Sequence, residues 1–334
     1  MSDPVRWGVL GVAGIATEKV IPAMSQGAMC RIEAIASRDG GRARAAAQRL
    51  GIPRAYGSYE ELLADPDIEA IYNPLPNELH IAWTEKALAA GKHVLCEKPI
   101  GLDADEARRL IAARDKSGKL VAEAFMVRFH PQWRRAREIV RSGAIGEVGA
   151  MQTLFTYRLL DPENVRNRPP GGGGLYDIGC YAILTARYIF AQEPLRVAAS
   201  LDLDPKFATD RLASAILEFP GGRHLTFTAA TQLAGAQRVV IAGTAGRIEV
   251  KIPFNAPPNR ATEIVIDSGA DLVGGGARVE SFPACDQYTL QGDAFARAVR
   301  GQAPQEFAIE DAIANMKAID ACFRAAKSGR WESV

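Results

Sequence analysis

The chain has 334 residues, which at about 150 residues per domain predicts two domains. A content of 48% hydrophobic and 24% charged residues is that of a globular protein and excludes a disordered chain, a collagen and a coiled coil. With 40 Lys+Arg against 39 Asp+Glu the formal net charge is +1, so the basic excess that would coat nucleic acid or an anionic membrane is missing and neither is an expected partner.

In chain order, Met1–Arg6 lacks the basic-then-apolar build of a secretory leader and runs straight into a strand, Val5–Leu10. A helix over Ile15–Ser25, a strand over Arg31–Ser37 and an Ala/Arg-rich helix over Gly41–Leu50 follow. Ser58, with Glu61 three residues later, forms a capping box that opens a short helix to Leu63. Next come a strand Glu69–Asn73 and a helix Asn77–Ala90, with Asn77 as N-cap and Gly91 as its stop. A strand His93–Cys96, a helix Asp103–Lys116 and a strand Lys119–Phe125 complete this half. Apolar strands alternating with amphipathic helices predict an α/β fold, a doubly wound parallel Rossmann sheet over residues 1–125.

Beyond residue 125 the pattern changes. One helix, Pro131–Arg141, precedes strand-like segments at Gly149–Tyr157, Arg196–Leu203, Ala213–Phe219, His224–Ala230, Gln237–Gly243, Arg247–Lys251 and Thr262–Asp267. Helices Gln287–Val299 and Glu310–Ser328 close the chain. This predicts an α+β domain over 126–334 with a mostly antiparallel open sheet, apolar on one face. Gly171–Gly174 reads as a loop within it. No run of about 18 apolar residues suggests a membrane span. Five cysteines without a C-x-x-C pair, and only four histidines, predict no metal site and the reduced thiols of a cytoplasmic protein.

Gly11-Val12-Ala13-Gly14-Ile15-Ala16 follows the first strand and opens the first helix, where a dinucleotide-binding turn belongs. Small residues let the backbone approach a pyrophosphate, and the helix start offers N–H donors. Ala13 stands where the G-x-G-x-x-G/A pattern has its second glycine, so a plain tight strand–helix turn is the competing reading. The second strand ends in Ser37-Arg38. A hydroxyl and a guanidinium suit the 2′-phosphate of NADP, with Arg42 one helical turn further on; Asp39 leaves NAD as the alternative.

Two further segments carry a family resemblance. Residues 69–80 read Glu-Ala-Ile-Tyr-Asn-Pro-Leu-Pro-Asn-Glu-Leu-His, and residues 93–99 end a strand in Glu97-Lys98-Pro99. With the glycine turn, and with the runs Glu123–Pro131 and Gly172–Tyr181, they resemble the glucose-fructose oxidoreductase/inositol dehydrogenase (Gfo/Idh/MocA) family of nicotinamide-dependent oxidoreductases over essentially the whole chain. Tyr181, where many members carry histidine, is similar to the branch of NADP-dependent D-xylose dehydrogenases and dimeric dihydrodiol dehydrogenases. Ala13 and Ser37-Arg38 resemble that branch too. The resemblance implies a homodimer or homotetramer packed through the open sheet of the second domain.

It also implies site residues. Oxidising a carbinol needs a hydride acceptor and a base, and tyrosine and lysine at rest, with pKa values of about 10 and 10.4, are poor bases until neighbours shift them. Lys98 and Tyr181 are the implied proton-transfer pair, either being the immediate acceptor, with Asp177 one helical turn before Tyr181 as holder of Lys98 or of a substrate hydroxyl, or as an N-cap. Glu97 and Pro99 shape the nicotinamide ribose site, with a cis bond before Pro99 suggested. Pro74, Leu75, Asn77 and His80 line the cofactor's crossing, His80 alternatively being a plain surface histidine. Arg128 and His130 bind sugar oxygens or the nicotinamide's far side, or else form an interdomain salt bridge. Asn164, Arg166 and Arg168 lie on a flap and bear on substrate choice, while Cys180 is small packing.

The expected function is hydride transfer between NADP(H) and a CH–OH or carbonyl carbon of a sugar or cyclic polyol, of the aldose 1-dehydrogenase type. The alternatives are a reductase of dicarbonyl, anhydro-sugar or trans-dihydrodiol substrates, and an NADP-binding regulator without turnover. The intact Glu97-Lys98-Pro99 run and Tyr181 count against the regulator.

Overall fold

A computed structural model describes residues 3–334; Met1 and Ser2, the first residues of the Met1–Arg6 segment read above, lie outside the described residues. The chain divides into two compact units, one of the described residues up to Met126 with Gln287–Met316, the other Val127–Asp286 with Lys317–Val334.

In the first unit six strands, β1 (Val5–Leu10), β2 (Cys30–Ala36), β3 (Arg54–Tyr56), β4 (Ala70–Asn73), β5 (His93–Cys96) and β6 (Val121–Glu123), form a wholly parallel sheet in the order β3-β2-β1-β4-β5-β6. Order reverses between β1 and β4, which opens a crevice at the carboxyl ends of the strands. Helices set by local signals cover both faces. Ser58 Oγ accepts from Glu61 N–H at 3.1 Å, but the Glu61 carboxylate returns to Gly57 N–H at 3.0 Å and not to Ser58, so the box closes one residue early. Asp103 caps Ala104–Ser117 through Glu106 N–H. Asn77, expected as an N-cap, lies inside a 3₁₀ turn, Asn77–Leu79, that precedes the helix His80–Ala89.

The domain boundary read from the sequence needs correction. The 126–334 segment does not stay together, because helix Gln287–Val299 returns to the first unit. Phe295 packs on the fully buried Trp7 of β1 (ring centroids 5.6 Å apart), and Asp293 accepts from Ala28 and Met29 N–H. A wide indole on β1 needs an apolar cover on that face, and this helix supplies it.

The second unit holds a nine-stranded sheet of β7 (Val148–Arg158), β8 (Arg196–Leu203), β9 (Asp210–Phe219), β10 (Arg223–Ala230), β11 (Gln232–Gly243), β12 (Gly246–Val250), β13 (Thr262–Asp267), β14 (Ala277–Phe282) and β15 (Glu332–Ser333). The order is β14-β13-β12-β11-β7-β10-β9-β8-β15, antiparallel except for β7 against β10. One face packs against helices Pro131–Arg141 and Cys180–Phe190; Trp133 donates from Nε1 to Pro253 O at 2.7 Å and stacks on Phe254. Among the described residues, no helix is long and apolar enough to cross a membrane.

Candidate active site

Because all six strands of the first sheet are parallel, the segments after β1, β2, β4 and β5 emerge on one edge. After β1, Gly11 takes φ +87°, where a side chain is strained; a Cβ there would also meet Leu75 Cδ2 at 3.0 Å. Helical bonding starts with Thr17 N–H to Ala13 O at 3.0 Å, so the amides of Gly14, Ile15 and Ala16 precede the first intrahelical donor. A Cβ on the exposed Gly14 would meet only Glu18 Oε1, at 3.8 Å, so the turn is open where a pyrophosphate would approach. The helix continues as a π turn, Ala16–Val20, into Ile21–Met24.

After β2, Ser37 is buried and its Oγ accepts from Asp39 N–H at 3.2 Å. Asp39 caps helix Gly40–Leu50, its Oδ1 accepting from Gly41 at 2.8 Å and Arg42 at 3.1 Å. The carboxylate that an NAD-type ribose contact would need is thus engaged by a helix start, while Arg38 and Arg42 stand exposed.

After β4, Asn73 organises the Pro74–Pro76 turn. Its Nδ2 donates to His80 O and Thr84 Oγ1, both at 3.2 Å, and its Oδ1 accepts from Leu75 N–H. His80 is 1% exposed, with Nδ1 2.8 Å from Pro99 O and Nε2 2.6 Å from Leu75 O. Burial pushes its pKa down to about 4 against the pull of those two carbonyls. The ring therefore sits buried between the Leu75 and Pro99 turns, its one N–H serving one carbonyl at a time, and is not the plain surface histidine that the sequence left as the alternative.

After β5, Glu97 Oε1 accepts from Tyr72 O–H at 2.6 Å and its Oε2 from Lys98 N–H at 3.3 Å. Lys98–Pro99 is a cis bond, and Ile100 N–H donates to Glu123. Tyr72 is fully buried, and burial beside the Glu97 carboxylate pushes its phenol well up, so it stays a donor. Tyr72, Asn73 and Glu123 brace this edge and are not among the site residues expected from the sequence; their signal was only position, Tyr72 and Asn73 closing β4 and Glu123 closing β6.

In the second unit Asp177 sits in a π turn, Leu175–Gly179, one turn before Tyr181 in helix Cys180–Phe190. Its Oδ2 accepts from Tyr157 O–H at 2.5 Å and its Oδ1 from Arg166 Nε at 3.1 Å. Tyr181 is buried against Phe155 and Phe254, with ring centroids 6.1 and 5.4 Å away. Cys180 is buried, its Sγ directed at Asp177 O. Arg168 is held inside its own loop by Glu163 and Pro162 O, and Asn164 caps Arg166 N–H. Arg128 is buried, in the 3₁₀ turn Met126–Phe129. His130, expected at the substrate, is buried as the N-cap of Pro131–Arg141: Nδ1 accepts from Gln132 N–H at 3.2 Å, which leaves the ring proton on Nε2, 3.4 Å from Cys285 Sγ. Burial pushes this imidazole down to about 4, so it is a neutral cap.

The glycine run is clamped from below. Gly173, at φ +111°, would place a Cβ against Asp210 Oδ1, and Asp210 Oδ2 accepts from Leu175 N–H at 2.6 Å. Burial pushes the Asp210 carboxyl up to about 7 against the amides that pull it down. The folded state then holds this proton more tightly than the unfolded chain, whose carboxyl titrates at about 4. Stability from this group is lost as pH rises through that window. Relative to Asp210→Asn, the wild type is expected to show a falling urea midpoint between pH 5 and pH 8; parallel midpoints would remove Asp210 as the source.

Comparisons with known proteins agree with this frame. Residues 5–125 match the oxidoreductase family with an NAD-binding Rossmann fold, and residues 133–249 match the GFO/IDH/MocA C-terminal domain. An uncharacterized oxidoreductase of Rhizobium meliloti is 50% identical over 99% of this chain and 100% of its own. A D-xylose 1-dehydrogenase (NADP(+)) of Haloferax volcanii is 38% identical over 97% and 98%. Among solved structures, a 3-ketoreductase from Actinomadura kijaniata, in complex with NADP and TDP-benzene, superposes with a TM-score of 0.90 at 31% identity over 97% of this chain and 98% of that one.

Proposed function

The chain belongs to the GFO/IDH/MocA oxidoreductase family, and on that premise we propose that it transfers hydride between NADP(H) and a CH–OH or carbonyl carbon of a sugar or cyclic polyol. The observation that carries this reading is the shared sheet edge. The Gly11–Ala16 turn, Ser37-Arg38, the Pro74–Pro76 turn and Glu97-Lys98 all follow carboxyl ends of parallel strands. The residues suit the cofactor: an open glycine turn for the pyrophosphate, and Arg38 and Arg42 beside an Asp39 engaged as a cap for a 2′-phosphate. When bound, NADP supplies the hydride acceptor. The first unit binds the dinucleotide and the second the substrate.

In this reading the carbinol carbon gives up a hydride and its hydroxyl gives up a proton, leaving a carbonyl. Lys98 and Tyr181 carry that proton, and Asp177 orients them or a substrate hydroxyl. A phenol at about 10 becomes competent near neutrality only beside a cation, which is why the two residue types are paired. Glu97, braced by Tyr72, and Pro99, braced by His80, fix the backbone from which Lys98 projects. Arg166, bonded to Asp177, bears on substrate choice. Similarity to a 3-ketoreductase supports the reverse direction, reduction of a ketone, as the second reading. Self-association through the open sheet is supported by a depression of about 640 Å³ on that sheet, lined by Leu154, Ser200, Ser214, Ile216 and Arg238 among others, with Leu154 and Ile216 exposed.

A panel of aldoses, polyols, ketoses and dicarbonyls, scored by absorbance of the reduced cofactor with NADP and NAD in parallel, tests the proposal. Turnover of an aldose or polyol with NADP preferred is expected. A protein that binds NADPH and turns over nothing in the panel would favour the regulator.

A further inference from the structure

We infer that Tyr157 is a positioning residue of the reaction, holding the Asp177 carboxylate through its phenolic hydrogen; this rests on the reading that Asp177 and Tyr181 serve the chemistry. The argument begins with spacing. β7 presents Phe155 and Tyr157 two residues apart, on one face of the strand and about 6.7 Å apart along it. The helical segment presents Asp177, in the π turn, and Tyr181, in the α-helix that follows, four residues apart. Both face this strand, as the contacts show: Phe155 meets the Tyr181 ring edge-on, and Tyr157 Oη lies 2.5 Å from Asp177 Oδ2. One strand thus seats both members of the pair.

A third element completes the hold. Arg166 Nε donates to Asp177 Oδ1 at 3.1 Å, so each oxygen has a donor from a different segment of the chain and the carboxylate plane cannot turn without breaking one bond. Tyr157 is suited to donate and not to accept. Burial, and then the facing Asp177 charge, push its ionisation far above any working pH. That separates its role from the one assigned to Tyr181: Tyr157 keeps its proton throughout, and the proton's work is to fix the direction of a neighbouring anion. Packing alone would account for an aromatic ring at position 157; it would not account for a hydroxyl aimed at the carboxylate.

Tyr157→Phe keeps the ring and removes the donor. With the panel compound that the wild type turns over fastest, kcat/KM is expected to fall about ten- to a hundredfold, the scale of a lost hydrogen bond to a charged group. NADPH affinity, read by fluorescence titration, is expected to stay within about twofold, because no cofactor-binding segment is touched. The acidic limb of the kcat/KM profile is expected to move up by about one unit, since Asp177 loses a donor that favours its charged form. In an Asp177→Asn background the same substitution should cost little more, because both act through one group. A lowered melting temperature with an unmoved limb and unchanged kcat/KM would overturn the inference. Should Tyr157→Phe not fold, 3-fluorotyrosine at position 157, a slightly larger but more acidic phenol, is expected to move the limb down, and an unmoved limb overturns the inference equally. If Asp177→Asn loses activity and Tyr157→Phe does not, only the inference on Tyr157 fails. If Asp177→Asn retains full activity, the reading beneath it fails.

Discussion

Lys98→Ala is expected to lower kcat by about a thousandfold, within the range that removal of a positioned proton-transfer group produces, while leaving NADPH binding measurable. The reason lies in what holds the turn after β5. Glu97 is fixed by Tyr72 O–H and by Lys98 N–H, the Pro99 carbonyl by His80, and Ile100 N–H by Glu123. None of these bonds uses the lysine amine; truncation to alanine keeps the backbone N–H and therefore the frame. Loss of function would then report the amine and not a collapsed loop. Fluorescence titration with NADPH and steady-state turnover on the same preparation separate the two effects. Turnover within about twofold of wild type would take Lys98 out of the mechanism, and a parallel collapse of NADPH affinity would make it a binding residue instead.

Much of the first sheet was legible because its strands are apolar runs closed by recognisable stops, as β1 is by Gly11 and β5 by Glu97-Lys98-Pro99. The elements that escaped lack such a signature. β3 is three half-buried residues with no apolar run, and β14 is a largely exposed strand at the sheet's edge without clean alternation. The return of Gln287–Val299 to the first unit could not be read locally, because it depends on Phe295 meeting Trp7 from nearly the other end of the chain. The site shows the same division. Motif residues could be named from order along the chain, whereas their braces could not: Tyr72 lies 25 residues from Glu97, and Tyr157 lies 20 from Asp177. The two histidines show the same division: His80 and His130 were expected against cofactor or substrate, and only the structure gives the burial and the carbonyls and amides around their rings.

Arg38→Ala is expected to raise the Kd for NADPH by about ten- to a hundredfold and to leave that for NADH within about twofold, with both read by fluorescence titration. The 2′-phosphate is the one group that distinguishes the two cofactors, and a guanidinium recognises it through charge and paired N–H donors. The surroundings make Arg38 the decisive residue. Ser37 is buried and its hydroxyl already accepts from Asp39 N–H, so it has less freedom to compensate. Asp39 caps helix Gly40–Leu50, and that same engagement keeps its charge directed at the helix start, where repulsion of an added phosphate is softened by the amides of Gly41 and Arg42. Arg42, one turn into that helix, keeps part of the attraction after Arg38 is lost, which is why the expected loss stops short of abolishing NADPH binding. Because the interaction is between exposed charges, the NADPH affinity of the wild type should also weaken with added salt more steeply than that of the variant. Equal losses for both cofactors would mean that Arg38 stacks on the adenine common to the two, and that the preference for NADP is set elsewhere along the sheet edge.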